Sequence, residues 1–442
     1  MIEQYVIKQI EERDIRFIRL WFTDILGNLK SFAITPSDMS MALEEGISFD
    51  GSYIEGVASV QESDMLLRPD PSTFQVLPWR PSNNGVARMF CDIHTPESQS
   101  APGDCRRILM NVVRKAAEMG FSAAVDMDLE YFYFKDSTAP NPIDAGGYFD
   151  LTPLDNAVEL RRDTVLTLEQ MGVPVEYSHH ESAPSQHEID LRASDPLTAA
   201  DSVMTARLVA REVACAQGVH ASFMPKPLEG VPGSGMHVHL ALFDEDGEDA
   251  FFNPHDPEGF GLSQTAKHFM AGILRYAPEF CLVTNQYVNS YKRFVHGGGA
   301  SSCVAWGGRN RSALLRVPNH KHEKENPVRV EVRCADSAAN PYLAFAVMLA
   351  AGLQGIQDKL PLDPPRTDNL YALTPEERAA QGLQILPLDL SRAIDLFESS
   401  QLMRQVLGEY VHDHLVSSKR AEWESYRTHV SAWELDRYLA NL

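Results

Sequence analysis

Four short stretches carry groups able to hold divalent cations and phosphate. In the run VDMDLEYFYF, residues 125–134, period-2 alternation puts Asp126, Asp128 and Glu130 on one strand face, with Val125, Met127, Leu129 and Tyr131 on the other. Three carboxylates on one face repel one another. At a solvated edge they would be a plain polar side; in a domain this apolar they demand neutralisation by cations. HHESAPSQHEIDL adds Glu181 and Glu188 on a loop followed by a strand. In KPLEGVPGSGMHVHL a glycine-rich loop runs into an alternating strand that puts His237 and His239 on one face. VRVEVR does the same for Arg329, Glu331 and Arg333. A carboxylate between two arginines reads equally as a structural ion pair or as a metal ligand between anion clamps.

Oxygen donors with one imidazole suit Mg²⁺ or Mn²⁺ rather than zinc, which prefers thiolates and several histidines. Two such ions beside a glycine loop are the equipment of phosphoryl transfer from ATP. Arg309, Arg311 and Arg316 in GGRNRSALLRVP supply cations for the transferring group.

The elements that position these residues follow from pattern. Residues 2–12 repeat apolar side chains at helical spacing, 15–22 alternate as a strand, and 29–34 pair back after the turn DILGN. A helix is expected near 36–45, then a polar, Gly- and Ser-rich loop, SFDGSYIEGVASVQESDMLLRPD, and a strand at 86–90. The Pro- and Ser-bearing segment 95–103 sets the domain boundary, dividing the chain into 1–100 and 101–442. Beyond it, helices at 104–119, 155–171 and 196–217 alternate with strands at 122–134, 173–178, around Ala221 and around His237. The end, 390–442, is mostly helical.

With 442 residues, 44% of them hydrophobic and 23% charged, the chain is long enough for a buried catalytic interior. A net charge of −22 disfavours nucleic acid and anionic membranes as partners. Six scattered cysteines without a CxxC pair suggest reduced thiols in the cytoplasm. The amino terminus lacks a signal peptide's apolar core, and the longest apolar run, 341–353, is short of the roughly 20 residues that span a bilayer.

FDGSYIEG, ESDMLLRPD, HHESAPSQHEID, KPLEGVPGSGMHVH, NSYKRFV, RNRSALLRVP and RVEVRCADSAANPYL, in this order, resemble the glutamine synthetase family of the bacterial type I branch from end to end. The resemblance implies an α+β fold: a small N-terminal β-grasp domain, then a catalytic domain with a curved antiparallel sheet and helices. It also implies a dodecamer of two hexameric rings, with each site formed between neighbouring subunits. Carried over by position, Glu130, Glu181 and Glu188 resemble ligands of one metal ion, and Asp128, His237 and Glu331 those of a second. Asp128 stands where Glu is usual. Gly233, Arg293 and Arg333 resemble the glutamate-binding groups. His239, Arg311 and Arg316 resemble contacts to ATP and its phosphates, with Ala241 in place of a usual Ser. Arg311 and Asp50 carry the catalytic roles, Asp50 serving the adjacent chain. The implied reaction phosphorylates glutamate with ATP to γ-glutamyl phosphate, which an amine then attacks.

The amine end departs from the family. Its flap Glu is replaced by Gly299 within HGGGAS, and DGSS becomes DGSY, bringing in Tyr53. Loss of a carboxylate and gain of an aromatic suit a larger cationic amine better than ammonium. Asp50, Tyr53 and Gly299 therefore form the expected amine pocket, with His296 a further candidate base beside the flap. The substrate expected is a polyamine such as putrescine, spermidine or spermine, as in a gamma-glutamylpolyamine synthetase type paralogue. The alternatives are ammonia, a monoamine such as ethanolamine, or a noncatalytic structural or regulatory relative. Tyr371 in NLYALTPEE resembles a modified tyrosine of some family members, although the acid usual after it is Ala372.

Overall fold

The structure is a computed structural model, and it describes residues 2–58, 63–80, 83–294, 300–318 and 327–442. The chain opens with α1 (Ile2–Glu12), whose Val6 and Ile10 are buried. The first sheet holds β1 (Ile15–Thr23), β2 (Leu29–Ile34), β3 (Ile47–Asp50), β4 (Asp64–Pro69), β5 (Gln75–Val76) and β6 (Gly85–His94), with α2 (Met39–Glu44) between β2 and β3. Its order is β2-β1-β6-β4-β3, with β5 on β6. The central pair β1 and β6 is parallel; the other pairs are antiparallel. Two strands, β3 and β4, lie inside the stretch expected to be a loop. That expectation fails because β3 is an edge strand whose four residues bury neither face, so no apolar alternation marks it.

The second sheet comprises β7 (Ser122–Phe134), β8 (Val175–His180), β9 (Gln186–Ser194), β10 (His220–Ser222), β11 (Met236–Phe243), β12 (Trp306–Gly307), β13 (Leu315–Arg316) and β14 (Val330–Val332). Its order is β12-β13-β14-β11-β7-β9-β8, with β10 on the end of β7. All neighbours are antiparallel except β12 and β13, and bulges interrupt the β7–β9 and β8–β9 ladders. Around it pack α3 (Cys105–Glu118), α4 (Val158–Gln170), α5 (Pro196–Ala216), α6 (Gln264–Thr284) and α7 (Pro341–Asp358). The carboxyl end forms α8 (Pro375–Ala380), α9 (Leu390–Glu398), α10 (Gln401–Arg427) and α11 (Ala432–Tyr438). The apolar run at 341–353 is part of α7 and is almost wholly buried in the core. Among the described residues no helix is long and apolar enough to cross a membrane.

A buried arginine ties the sheets together. Arg106, on the first turn of α3, forks onto Asp201 of α5 (Nε to Oδ1 3.1 Å, a terminal nitrogen to Oδ2 2.8 Å) and reaches Asp92 of β6 at 2.5 Å and Asp70 at 3.2 Å. The Tyr342 hydroxyl donates to Asp201 at 2.6 Å. Three carboxylates around one guanidinium satisfy a charge that would be costly to bury alone. They hold the amino-terminal sheet in one orientation against the catalytic one.

Candidate active site

Because β14, β11, β7, β9 and β8 are consecutive neighbours, their polar residues fall into a cross-strand grid. Glu331 faces His239, His237 faces Asp128, Asp128 faces Asp190, and Glu130 and His179 each face Glu188. The opposite face of β7 and β11 is apolar and sealed: Val125, Met127, Leu129, Met236, Val238 and Leu240 are buried. That core fixes the register, since a one-residue slip would exchange the faces.

The grid floors a cavity of about 360 Å³. Asp128, Glu130, Glu181, Glu188, His237, His239, Glu331, Gly233, Arg293, Arg311, Arg316 and Arg333 all line it, as do Asp126 and Arg329. Asp50 and Tyr53 do not line it. Asp50 caps a short helical turn through Ser52, and Tyr53 on that turn is 87% exposed. Gly299 and His296 lie outside the described residues. Tyr148, Glu176, Tyr177, His179, Gln186 and Asp190 also line the cavity, and the sequence reading missed them. The signal was the same alternation: Gln186, Glu188 and Asp190 share one face of β9, and Tyr177 and His179 one face of β8.

Backbone packing explains the glycine loop. A Cβ on Gly233 would sit 2.2 Å from the Pro225 carbonyl oxygen, and one on Gly235 would sit 2.7 Å from the Arg293 guanidinium. Only glycine lets this loop pass between that arginine and β7. Its backbone helps fix the acids: the Gly235 N–H donates to Glu130 at 2.8 Å, and Gln186 bridges Glu130 (3.0 Å) and the Gly233 carbonyl (3.2 Å).

Charge is divided unevenly over the grid. Glu331 is buried, yet it is paired to Arg333 and to Arg316 (2.7 Å). Burial opposes its ionisation, but Arg333, the two histidines and Arg316 hold its carboxyl down to about 2. Burial also opposes ionisation of Asp128, and His239 at 3.2 Å and His237 at 3.6 Å more than compensate, keeping it below the usual carboxylate range. Burial works against charging His239 too, but Asp128 raises it to about 9. Across β9 the balance reverses. Burial, Asp128 and Glu188 push Asp190 up to about 9, and burial with Glu130 and Asp128 pushes Glu188 well above the carboxylate range. Asp190 Oδ1 is buried and has no hydrogen-bond partner among the described residues.

Carboxylates crowded at Glu130, Glu188 and Asp190, with no arginine or lysine within 4.0 Å among the described residues, lack the positive charge they need. Oxygen donors with interleaved imidazoles suit a hard divalent ion. Asp128, His239 and Glu331 form one group with ligand atoms within 4.8 Å of one another, and His179, Glu188 and Asp190 form another. The residues present thus fit divalent cations bound beside arginines that can hold anions. Tyr371, half-buried, donates its hydroxyl to the Arg311 carbonyl at 3.2 Å.

Comparison with known proteins gives the same picture. Residues 14–96 match the glutamine synthetase beta-grasp domain, and residues 102–438 match the glutamine synthetase catalytic domain. The chain is 53% identical over 444 residues to the glutamine synthetase of Mycolicibacterium smegmatis, covering 99% of both chains. It is 51% identical to that of Mycobacterium tuberculosis over 99% of both, and 46% identical to that of Methanosarcina mazei over 99% of this chain and 97% of the relative. Among solved structures, a GmaS/ADP complex superposes with a TM-score of 0.88 at 28% identity, covering 98% of this chain and 99% of that one. Apo GmaS without ligand gives 0.85 at 27% identity. The grid of acids, the arginines around it and the end-to-end match place the chain in the glutamine synthetase family, as an ATP-dependent ligase that uses divalent metal ions to join glutamate to an amine nitrogen.

Proposed function

We propose that this ligase γ-glutamylates an organic primary amine, with polyamines (putrescine, spermidine, spermine) ahead of monoamines such as ethanolamine. The observation that carries this reading is the paired change at the amine end: Gly299 where the family pattern has a carboxylate, and Tyr53 where it has a small hydroxyl. Ammonium loses an anionic partner, while an extended cation gains an aromatic surface. The 87% exposure of Tyr53 within a single chain fits a residue whose pocket is completed by a neighbouring subunit of a dodecamer.

In this reading Glu130, Glu181 and Glu188 hold one metal ion and Asp128, His237 and Glu331 the other. Bound there, the ions supply Lewis-acid charge to the phosphate oxygens. Gly233, Arg293 and Arg333 fix glutamate so that its γ-carboxylate oxygen meets the terminal phosphorus of ATP in line; the P–O bond to ADP breaks as the acyl phosphate forms. His239, Arg311 and Arg316 stabilise charge on the nucleotide and the transferring phosphoryl. The amine nitrogen then adds to the activated carbonyl carbon, phosphate leaves, and Asp50 of an adjacent subunit takes the nitrogen's proton.

A second reading, an ordinary glutamine synthetase using ammonia, is favoured by the names of the relatives 46–53% identical to this chain. Phosphate release from ATP and glutamate with Mg²⁺, across ammonium, putrescine, spermidine, spermine, ethanolamine and methylamine, separates the two when products are weighed by mass spectrometry. Turnover with organic amines and little with ammonium supports the first reading. Turnover with ammonium alone overturns it.

A further inference from the structure

The turn that carries Asp50 and Tyr53 and the segment that carries Arg293 lean on the same helix. α10 breaks at Gly408, whose φ of 77° and ψ of 157° only glycine adopts at little cost. The break sets the second half, residues 409–427, at its own angle to the first. His414 and Ser418 there are one turn apart and share a face. The His414 Nε2 donates to Glu55 Oε1 at 2.7 Å, and the Ser418 hydroxyl donates to the same oxygen at 3.5 Å. Only Ile54 separates Glu55 from Tyr53 and the turn that Asp50 caps.

Lys419 and Glu422 of the same half-helix reach the glutamate side. Lys419 is buried, pairs with Glu422 at 2.9 Å and sets its ammonium 4.5 Å from the centre of the Tyr287 ring. Glu422 also accepts the Val288 N–H at 3.1 Å. Val288 opens the short helical segment Val288–Arg293, which ends on Arg293 in the catalytic cavity. Behind these contacts the circuit closes through the turn after β1. The Gln286 amide donates to the Leu26 carbonyl at 2.7 Å, and the neighbouring Ile25 N–H donates to the Glu55 carbonyl at 3.4 Å. Gly56 lies so close to Ile25 that a Cβ there would sit 2.4 Å from its Cδ1.

The His414 and Glu55 side chains are 33% and 44% exposed, and a contact in that setting adds little to stability. Placement is another matter, since a shift of about 1 Å at a reacting group costs on the order of a hundredfold in rate. We infer that residues 409–427 are a two-ended brace. At one end His414 and Ser418 act through Glu55 to position the Asp50–Tyr53 turn for the amine. At the other, Lys419 and Glu422 act through Tyr287 and Val288 to position the segment that carries Arg293 to glutamate. All four are positioning residues that act through others. The inference rests on the assignment of Asp50 and Tyr53 to the amine end, and it holds whichever amine, ammonium included, the enzyme uses. Because that turn serves an adjacent subunit in this reading, one helix sets the glutamate site of its own chain and the amine site of the next.

The test is steady-state phosphate release by the full-length oligomer with Mg²⁺ and ATP, using the amine that gives the highest turnover. His414→Phe keeps a ring and loses the donor. It should raise the amine KM about tenfold, with kcat and the glutamate KM within about twofold of the parent. His414→Gln returns an N–H to Glu55 and should restore the amine KM. Lys419→Met keeps the length of the side chain and removes its contact with Tyr287, so it should raise the glutamate KM about fivefold and spare the amine KM. Asp50→Asn separates the brace from the reading beneath it. If Asp50→Asn lowers kcat/KM for the amine while His414→Phe leaves the amine KM unchanged, the brace is overturned and the amine turn stands. If Asp50→Asn leaves kcat/KM for the amine unchanged, the turn does not meet the amine and both fall. Equal rises of both KM values in His414→Phe, or no rescue by His414→Gln, would show a general loss of packing and overturn the proposal.

Discussion

Asp190 allows the charge reasoning to be tested without any activity. Burial and two neighbouring carboxylates raise its carboxyl from the ordinary 3.8 to about 9. In metal-free enzyme the folded state therefore binds a proton that the unfolded chain has already released between about pH 4 and 9. With more protons on the folded side, stability falls as pH rises through that window, by at most about 1.4 kcal/mol per pH unit. Taking only a third of that slope as realised after relaxation gives about 2 kcal/mol between pH 5 and 9. Asp190→Asn keeps the shape and cannot ionise, so it removes this slope. We expect its melting temperature in EDTA to match the parent's near pH 5 and to exceed it by several degrees at pH 9. Adding Mn²⁺ supplies the missing positive charge to the parent and closes the gap. The measurement is a thermal melt at five pH values with and without Mn²⁺. Parallel melting curves for the two proteins in EDTA would refute the idea that uncompensated carboxylate charge accumulates at β9.

Glu188→Gln should weaken Mn²⁺ binding at least tenfold by isothermal titration while leaving the melting temperature in EDTA unchanged or raised, because it also relieves repulsion; a large fall in melting temperature would contradict that. Arg106→Met should cost about 3–5 kcal/mol, since it strands Asp70, Asp92 and Asp201 around a lost cation. Denaturant titration checks this, and a loss under 1 kcal/mol would show that the three acids find other partners. Arg316→Met should raise the carboxyl of Glu331 and lower kcat about a hundredfold with a smaller effect on the glutamate KM, as expected for a group that holds transferring phosphate. An effect confined to KM would reassign it to glutamate binding. Restoring Gly299→Glu together with Tyr53→Ser should shift the ratio of kcat/KM for ammonium over putrescine upward by at least tenfold, read from the same phosphate-release assay.

What was legible in the sequence was whatever alternation with an apolar partner face could mark. β7 and β11 bury Val, Met and Leu on one side, so Asp128, Glu130, His237 and His239 stood out on the other. β9 was half legible. Its inward residues Ile189 and Leu191 are buried, but Asp190 and His179 in HHESAPSQHEIDL join the site only through the β8–β9 ladder, which sets them beside Glu188. β3 escaped because edge position lets a strand stay polar, whereas β4 is paired on both sides and its short alternation of buried Met65 and Leu67 lies inside a stretch otherwise rich in Gly, Ser and acids. The Arg106 network could not be read at all: its members lie up to 131 positions apart, from Asp70 to Asp201, and nothing local links them. Asp50 and Tyr53 sit away from the cavity of their own chain.

The activating machinery and the groups proposed to choose the nucleophile occupy different kinds of structure. Phosphate and metal chemistry rests on a sheet whose register a buried core enforces, whereas Tyr53 stands on an exposed turn. Substitutions on such turns typically change stability by less than about 0.5 kcal/mol. A duplicated gene could therefore explore new amine acceptors through a few surface changes while inheriting acyl-phosphate formation intact. Diversification of such ligases would then be limited by how the new product is used, and hardly at all by the stability of the fold.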